Sequence, residues 1–244
     1  MNTVKIALVT GANKGIGLAT ARQLAERGLH VLLGSRNMER GVAAAGSLQG
    51  LPVRPLAIDV TDDASVENAA AFIDGEYGRL DVLVNNAGLL VRRPALTVTA
   101  EGMRPEFETN VFGAVRMIHA MLPLLRRSAS ARIVNVASDS AQFARATEPA
   151  SMFARSHESF VYSAAKAALN MLTVKYANAF ADDPDLAHIR INSVTPGYTA
   201  TDLNAFRGTR SVDDGARASV HWATVPDQDA TTGGFHDDAG PVAW

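Results

Sequence analysis

Residues 10–17 read Thr10-Gly11-Ala12-Asn13-Lys14-Gly15-Ile16-Gly17 and lie between a short apolar run, Val4–Thr10, and an Ala-rich amphipathic stretch, Ile16–Arg27. Glycines let a backbone turn tightly and approach a ligand closely, and the free amides at a helix N-terminus favour anions. A glycine-rich turn is common by itself, but its place between a strand and a helix makes the signal specific. This stretch predicts a cradle for the phosphates of a ligand.

The rest of the chain continues the alternation of short β-branched runs with Ala-rich stretches. The apolar runs show no polar alternation, which is typical of strands covered by helices on both faces. The predicted strands are Val4–Thr10, His30–Leu33, Val53–Val60, Leu80–Val84, Arg132–Ala137 and Arg190–Thr195, and the predicted helices are Ile16–Arg27, Asn37–Leu48, Phe107–Leu125 and Phe160–Phe180. This order predicts an α/β fold: a doubly wound Rossmann domain with a mostly parallel central sheet flanked by helices.

The chain has 244 residues, of which 47% are hydrophobic and 20% charged, as in an ordinary globular protein. Nothing rich in Pro, Gly or Ser divides the pattern, so we expect one domain, residues 1–244. Two segments interrupt the alternation, residues 139–159 and 199–230. Both follow strands, so we expect them to wall a substrate pocket, although surface loops and helix packing would also explain them.

Composition excludes several classes of function. The formal net charge is −2 and the basic residues are scattered, which argues against a nucleic-acid partner. No apolar stretch reaches the roughly 20 residues that span a bilayer, and we expect a cytoplasmic protein. The chain contains no cysteine, and its six histidines are not spaced as metal ligands, so disulfides, thiolate catalysis and a metal site are not expected.

The glycine spacing, Gly-x-x-x-Gly-x-Gly, differs from the Gly-x-Gly-x-x-Gly of ordinary dinucleotide-binding dehydrogenases. It resembles that of the short-chain dehydrogenase/reductase family. Further motifs of that family follow in its order over residues 10–197: Asn85-Asn86-Ala87-Gly88, Asn110, Ser138, Tyr162-Ser163-Ala164-Ala165-Lys166 and Pro196-Gly197. Within the family the chain is most similar to the NADPH-dependent carbonyl reductases.

Tyr162 and Lys166 are four residues apart on a predicted helix and therefore project from the same face. A free phenol has a pKa near 10, and a neighbouring ammonium lowers that pKa, so we expect Tyr162 to be a general acid–base. The resemblance implies that Lys166 also binds the nicotinamide ribose.

Two further residues complete the expected catalytic set. Ser138 ends a predicted strand, where its hydroxyl can donate to the oxygen of a substrate carbonyl. Asn110 resembles the family's helix-kinking asparagine, which holds a water that relays protons to the lysine.

The cofactor can be predicted from charge. NAD-preferring folds place an acidic residue after the second strand, whereas this chain has Gly34-Ser35-Arg36-Asn37. Arg36 and Lys14 suit a 2′-phosphate, so NADPH is favoured; if both are solvated surface cations, the preference over NADH is slight. Charge and resemblance together assign cofactor contacts to Gly11, Asn13, Lys14, Gly15, Ile16, Gly17, Ser35, Arg36, Asn37, Asp59, Val60, Asn86, Ala87, Gly88, Tyr162, Lys166, Pro196, Gly197 and Thr199.

The predicted function is NADPH-dependent reduction of a ketone or aldehyde, with Tyr162 as proton donor. Oxidation of a secondary alcohol is the alternative, because catalysis does not set the direction. A nonenzymatic dinucleotide sensor is a third hypothesis, against which the intact Tyr162 and Lys166 argue. An apolar wall of Phe143, Met152, Phe153 and Phe206 predicts a small-molecule carbonyl substrate with hydrophobic bulk. The length of residues 139–159 leaves both a monomer and a homo-oligomer open.

Overall fold

A computed structural model describes residues 4–244; residues 1–3 of the predicted domain lie outside the described part. Its centre is one sheet of seven parallel strands in the order β3-β2-β1-β4-β5-β6-β7. The strands are β1 (Ile6–Val9), β2 (His30–Ser35), β3 (Val53–Ala57), β4 (Val82–Asn85), β5 (Arg132–Val136), β6 (Arg190–Val194) and β7 (Phe235–His236). The fold prediction is confirmed.

Helices cover both faces of this sheet. They are α1 (Gly15–Glu26), α2 (Met38–Gly46), α3 (Asp63–Tyr77), α4 (Ala100–Phe107), α5 (Gly113–Arg126), α6 (Phe143–Thr147), α7 (Phe160–Asp182) and α8 (Val212–Thr224). A π-helical segment, Glu108–Phe112, joins α4 to α5. Among residues 4–244, none of the helices combines the length and apolar character needed to cross a membrane.

The continuous apolar runs of the strands have a direct structural cause. Leu8 and Leu83 point into one hydrophobic core, whereas the adjacent Val9 and Val84 point into a second core on the opposite face. Because both faces are buried, successive residues of β1 and β4 are all apolar. The sheet is thereby fixed between two layers of helices.

The strand order reverses beside β1, which has β2 on one side and β4 on the other. At such a reversal the loops leave toward opposite faces and open a crevice beyond the carboxyl ends of the strands. The glycine-rich stretch after β1 and the segment 86–88 after β4 meet at this crevice.

The second irregular segment, 199–230, does not lie at the crevice as a whole. Its residues Val212–Thr224 form α8, which packs against α1 and buries residues such as Ala216 and Val220. The pocket expectation therefore holds for residues 199–207, several of which line the cleft, whereas the alternative of helix packing holds for α8, which covers the sheet and belongs to the hydrophobic core.

Candidate active site

A cleft of about 710 Å³ lies at the carboxyl ends of the strands. Most of the residues that the sequence analysis assigned to a cofactor or to catalysis line it. They are Gly11, Asn13, Lys14, Gly15, Ile16, Gly17, Arg36, Asp59, Val60, Asn86, Ala87, Gly88, Ser138, Tyr162, Lys166, Pro196, Gly197 and Thr199. Ser35, Asn37 and Asn110 do not line the cleft. Among the described residues, no group of three His, Asp or Glu side chains gathers as it would around a metal ion.

The glycine-rich loop is held close to the segment after β4. Gly11 has a φ of +62°, and a Cβ there would come within 2.9 Å of the Cα of Ala87. A Cβ at Gly17 would come within 2.4 Å of Asn86 Nδ2, which donates to Thr10 O at 2.8 Å. Both positions therefore require glycine.

The start of α1 supplies the expected anion site. Its N-cap, Lys14, makes no side-chain capping hydrogen bond, so the first amides of α1 remain free to bind an anion at the cleft. A loop with glycine at positions 11, 15 and 17 and a helix N-terminus without a side-chain cap fit the pyrophosphate of a dinucleotide.

Ser35 and Asn37 were expected to contact the cofactor, but their side chains bond within the fold. Ser35 is buried and its hydroxyl donates to Asn37 O at 2.8 Å. Asn37 caps α2 by accepting from Arg40 N at 2.9 Å. At this corner of the cleft Arg36 is the residue that lines the open space.

Asp59 and Val60 follow β3 and line the same end of the cleft. Burial works to raise the pKa of the Asp59 carboxyl, but hydrogen bonds from the amide and hydroxyl of Thr61 outweigh it and hold that pKa below its usual value. Asp59 thus carries a charged, fixed carboxylate toward the cleft.

Lys14 makes a contact that the sequence did not predict. Its ammonium lies 2.6 Å from the carboxylate of Asp202, and both side chains are more than half exposed. Asp202 belongs to the segment after β6, so the ion pair joins that segment to the glycine-rich loop. Any phosphate bound by Lys14 would compete with Asp202.

Tyr162 and Lys166 lie in the first turns of α7, and Ser138 follows β5. Burial raises the pKa of Tyr162 to about 12; the neighbouring Ser138 hydroxyl acts to lower it and the charge of Glu106 to raise it. The expectation that Lys166 brings the phenol below its ordinary pKa is therefore wrong for this structure. The penalty for burying a phenolate exceeds the stabilisation by nearby polar groups.

Lys166 is also buried, with 3% of its surface exposed. Its ammonium donates to Val136 O at 2.7 Å and lies 5.7 Å from the centre of the Tyr162 ring. Burial lowers the pKa of Lys166 to about 8. The two side chains thus share one face of α7, as the spacing predicted.

Asn110 lies behind the cleft, in the π-helical segment. Its Oδ1 accepts from Leu89 N at 3.0 Å and its Nδ2 donates to Leu89 O at 2.7 Å. A Cβ on Gly88 would lie 3.3 Å from Asn110 Oδ1 and 3.7 Å from Lys166 Nζ, so Gly88 separates the two side chains. The π-helical turn breaks the helix at Asn110 and aims its amide at the loop after β4.

The turn at residues 196–199, where cofactor contacts are predicted, borders the cleft next to β6. The Thr199 hydroxyl, which the resemblance assigned to the cofactor, donates to Pro196 O at 2.9 Å. That bond holds the turn in place and leaves the two lone pairs of the hydroxyl as acceptors.

The predicted apolar wall is correct in part. Met152 and Phe153 line the cleft, whereas Phe143 and Phe206 are 73% and 65% exposed and lie outside it. The sequence analysis did not find the lining residues Leu89, Leu90, Arg92, Leu203 and Arg207. For Leu89 and Leu90 a signal existed, because two apolar residues directly follow the motif at 85–88.

A doubly wound parallel sheet whose glycine-rich loop opens onto a cleft beside Ser138, Tyr162 and Lys166 defines a dinucleotide-binding Rossmann oxidoreductase. The family model described as short chain dehydrogenase matches residues 5–211. The chain therefore belongs to the short-chain dehydrogenase family, whose members bind nicotinamide dinucleotides and act on CH–OH or C=O groups.

Relatives and solved structures agree with this assignment. The chain is 35% identical over 243 residues to the short-chain dehydrogenase anuI of Penicillium roqueforti, covering 97% of this chain and 95% of the relative. It is similar to the NADPH-bound carbonyl reductase from chicken fatty liver, with a TM-score of 0.84, 25% identity and 99% of both chains covered. It is also similar to the 3-ketoacyl-(acyl-carrier-protein) reductase of Brucella melitensis complexed with NADH, with a TM-score of 0.81, 26% identity and 96% of both chains covered.

Proposed function

We propose that this protein is an NADPH-dependent carbonyl reductase that converts a ketone or aldehyde into an alcohol. The observation that carries the proposal is that Ser138, Tyr162 and Lys166 line one cleft together with the glycine-rich loop, with Lys166 Nζ 5.7 Å from the centre of the Tyr162 ring. Burial raises the pKa of Tyr162, so the phenol is protonated at neutral pH. A protonated phenol is the form that donates a proton to a substrate oxygen, whereas alcohol oxidation requires the phenolate.

When bound, NADPH would supply the hydride that forms the new C–H bond at the carbonyl carbon. The Ser138 hydroxyl donates a hydrogen bond to the carbonyl oxygen, on which negative charge accumulates. Tyr162 then gives its proton to that oxygen, so that hydride and proton together complete the alcohol. The Lys166 ammonium is fixed by its 2.7 Å hydrogen bond to Val136 O. It places a positive charge beside the Tyr162 ring and stabilises the phenolate that forms.

Arg36 supports NADPH over NADH. It lines the end of the cleft where the ribose 2′-position of a dinucleotide lies in this fold, and residues 34–37 after β2 include no acidic residue of the kind that NAD-preferring folds place there. Lys14 adds a second cation, although its ion pair with Asp202 weakens its attraction for a phosphate. The NADPH of the chicken relative agrees with this choice, and the NADH of the Brucella relative indicates that a related cleft also accepts the unphosphorylated cofactor.

The substrate end of the cleft is apolar on two sides. Leu89 and Leu90 come from the loop after β4, and Met152 and Phe153 come from the segment before α7. These side chains favour a carbonyl compound with hydrophobic bulk, because they exclude water from its apolar part.

The test is the loss of NADPH absorbance in the presence of aliphatic, aromatic and bicyclic ketones, with NADH in parallel. We expect turnover with NADPH, and a fall in kcat of about a hundredfold or more in Tyr162→Phe, since one general acid contributes roughly 10²–10⁴-fold. The Kd for NADPH should stay within about twofold, because the variant keeps the aromatic ring. Normal turnover by Tyr162→Phe would refute the assignment, and Tyr176→Phe on the same helix, outside the cleft, is the matched control.

A further inference from the structure

Arg92 is a cationic residue at the cleft that the reaction described above does not use. It follows Leu89 and Leu90 in the loop after β4, and all three line the cleft. The next residue, Arg93, has a structural role, because its guanidinium donates to Gly102 O in α4. Of two consecutive arginines, one therefore holds the loop to α4 and the other lies at the cleft.

The backbone holds Arg92 near the catalytic phenol. Arg93 forms a β-bridge with Ser159, and Arg93 N donates to Glu158 O at 3.0 Å. Ser159 also lines the cleft, and it lies three residues, or about one helical turn, before Tyr162. These steps put the Cα of Arg92 within about 14 Å of the Cα of Tyr162. One substrate molecule can therefore reach both residues.

The Arg92 guanidinium is only loosely held. It lies 3.7 Å from the carboxylate of Glu158, which is too long for a hydrogen bond, and the two side chains are 41% and 62% exposed. An exposed pair of this kind contributes little stability, so an anion in the cleft can displace Glu158. The nearby hydroxyls of Ser156 and Ser159 bond to each other at 2.7 Å, and Ser159 also donates to Ser156 O at 2.9 Å. Of these side chains, Arg92 is the one that retains N–H donors for a ligand.

The acidic residues of the cleft lie away from Arg92. Among the described residues that line the cleft, the carboxylates are those of Asp59 and Asp202. Asp59 follows β3 at the end of the cleft that Arg36 lines, and Asp202 is paired with Lys14 of the glycine-rich loop at 2.6 Å. Both carboxylates therefore belong to the cofactor side. An anion beside Arg92 meets a cation and no carboxylate of the cleft lining, which favours its binding there.

We propose that Arg92 is a specificity-determining residue that binds a carboxylate on the substrate, so that the preferred substrates are hydrophobic ketones or aldehydes bearing an acid group. A guanidinium presents two parallel N–H donors that match the two oxygens of a carboxylate. The apolar side chains of Leu89, Leu90, Met152 and Phe153 would pack against the part of the substrate between the carbonyl and the acid. This inference rests on the proposed function and adds to it the class of substrate.

The test compares ketones that differ in charge and hardly in shape: 3- and 4-acetylbenzoate against 3- and 4-acetylbenzamide. We expect kcat/KM with NADPH to be about tenfold or more higher for at least one carboxylate than for its amide, because a charge-assisted hydrogen bond is stronger than a neutral one. In Arg92→Gln this preference should disappear, while kcat/KM for the amides and the Kd for NADPH stay within about twofold of wild type. Arg155→Gln, an exposed residue of the segment before α7 that does not line the cleft, is the matched control and should keep the preference.

Glu158→Gln separates a ligand site from a structural ion pair. It removes the carboxylate that competes for Arg92, so calorimetric titration of the NADP⁺-loaded protein should show the acetylbenzoates binding about two- to fivefold tighter, whereas Arg92→Gln should weaken their binding. Effects of the same sign in the two variants, no preference for a carboxylate in the wild type, or a preference that survives Arg92→Gln would overturn the proposal. A wild-type protein that reduces no ketone or aldehyde would instead overturn the proposed function, and the titration would still show whether Arg92 binds a carboxylate.

Discussion

Lys166→Met should make the protein more stable and nearly inactive at the same time. Methionine has a similar unbranched length and removes the ammonium that burial disfavours. The pKa of Lys166 falls from 10.5 to about 8 on burial, which corresponds to about 3 kcal/mol of stability lost at neutral pH. The hydrogen bond to Val136 O offsets part of this, because losing it costs about 1–2 kcal/mol.

The net expectation is a gain of about 1–2 kcal/mol in the free energy of unfolding, or roughly 2–8 °C in Tm for a chain of this length. The pH dependence gives a sharper criterion. Below pH 8 the amine is protonated in both the folded and the unfolded wild-type chain, so the full penalty applies there. Between pH 8 and 10.5 Lys166 loses its proton in the folded chain but keeps it in the unfolded chain, so the stability that wild type loses by burying the ammonium is progressively regained.

The assay is urea unfolding of both proteins at pH 7 and at pH 10.5, followed by circular dichroism. We expect the gain at pH 7 to turn into a loss of about 1 kcal/mol at pH 10.5, because the neutral wild-type amine still donates to Val136 O and methionine does not. Lys175→Met, an exposed lysine on the same helix, should change stability at neither pH. A Lys166→Met protein that is less stable than wild type at pH 7, or a gain of equal size at both pH values, would refute the reasoning.

Two further predictions concern the cofactor. Arg36→Asp should raise the Kd for NADPH by about tenfold or more and lower the Kd for NADH, because the new carboxylate repels a 2′-phosphate and accepts a hydrogen bond from a 2′-hydroxyl. An unchanged kcat/KM for NADPH would argue against phosphate binding by Arg36. Asp202→Asn removes the ion-pair partner of Lys14, and exposed ion pairs of this kind contribute at most about 1 kcal/mol. Fluorescence titration should therefore show NADPH binding about two- to fivefold tighter and NADH binding unchanged. Weaker NADPH binding by Asp202→Asn would show that the pair supports the site and does not compete with the cofactor.

The sequence predicted the sheet well because its signal is local and repeated. Continuous apolar strands such as Ile6–Val9 and the glycine-rich loop after them define a doubly wound fold without tertiary information. Elements with weak or neglected local signals were missed. Strand β7, Phe235–His236, is too short for a periodic pattern. Helix α8 had readable signals, an N-cap at Ser211 and two acidic residues in its first turn, within a segment interpreted as pocket wall.

The site was harder to predict where the answer depended on the direction of a side chain. Ser35 and Asn37 lie next to the cleft in sequence, but their short polar side chains bond to the neighbouring backbone, which position after a strand does not reveal. Glu106 gave no signal, since its burial results from the packing of α4 and the loop after β4 against α7. Polar residues surround it in sequence, and Pro105 precedes it within the helix.

The pKa of Tyr162 shows the same limit in electrostatics. Spacing on α7 correctly places Lys166 on the face of Tyr162, and a nearby ammonium does stabilise a phenolate. The size of the opposing desolvation depends on how deeply the fold buries the phenol, which is a property of several elements together. In this structure burial dominates, and the result suits a proton donor in place of a proton acceptor.

The most direct measurement of the central claim follows the transferred hydrogen. The protein would be incubated with NADPH carrying deuterium at both positions of C4 of the nicotinamide and with a bicyclic ketone, and the product analysed by mass spectrometry and NMR. The account predicts one deuterium on the carbinol carbon and none on the alcohol oxygen, with product formation lost in Tyr162→Phe. Alcohol without deuterium at that carbon, or no alcohol from any ketone or aldehyde tested, would contradict it.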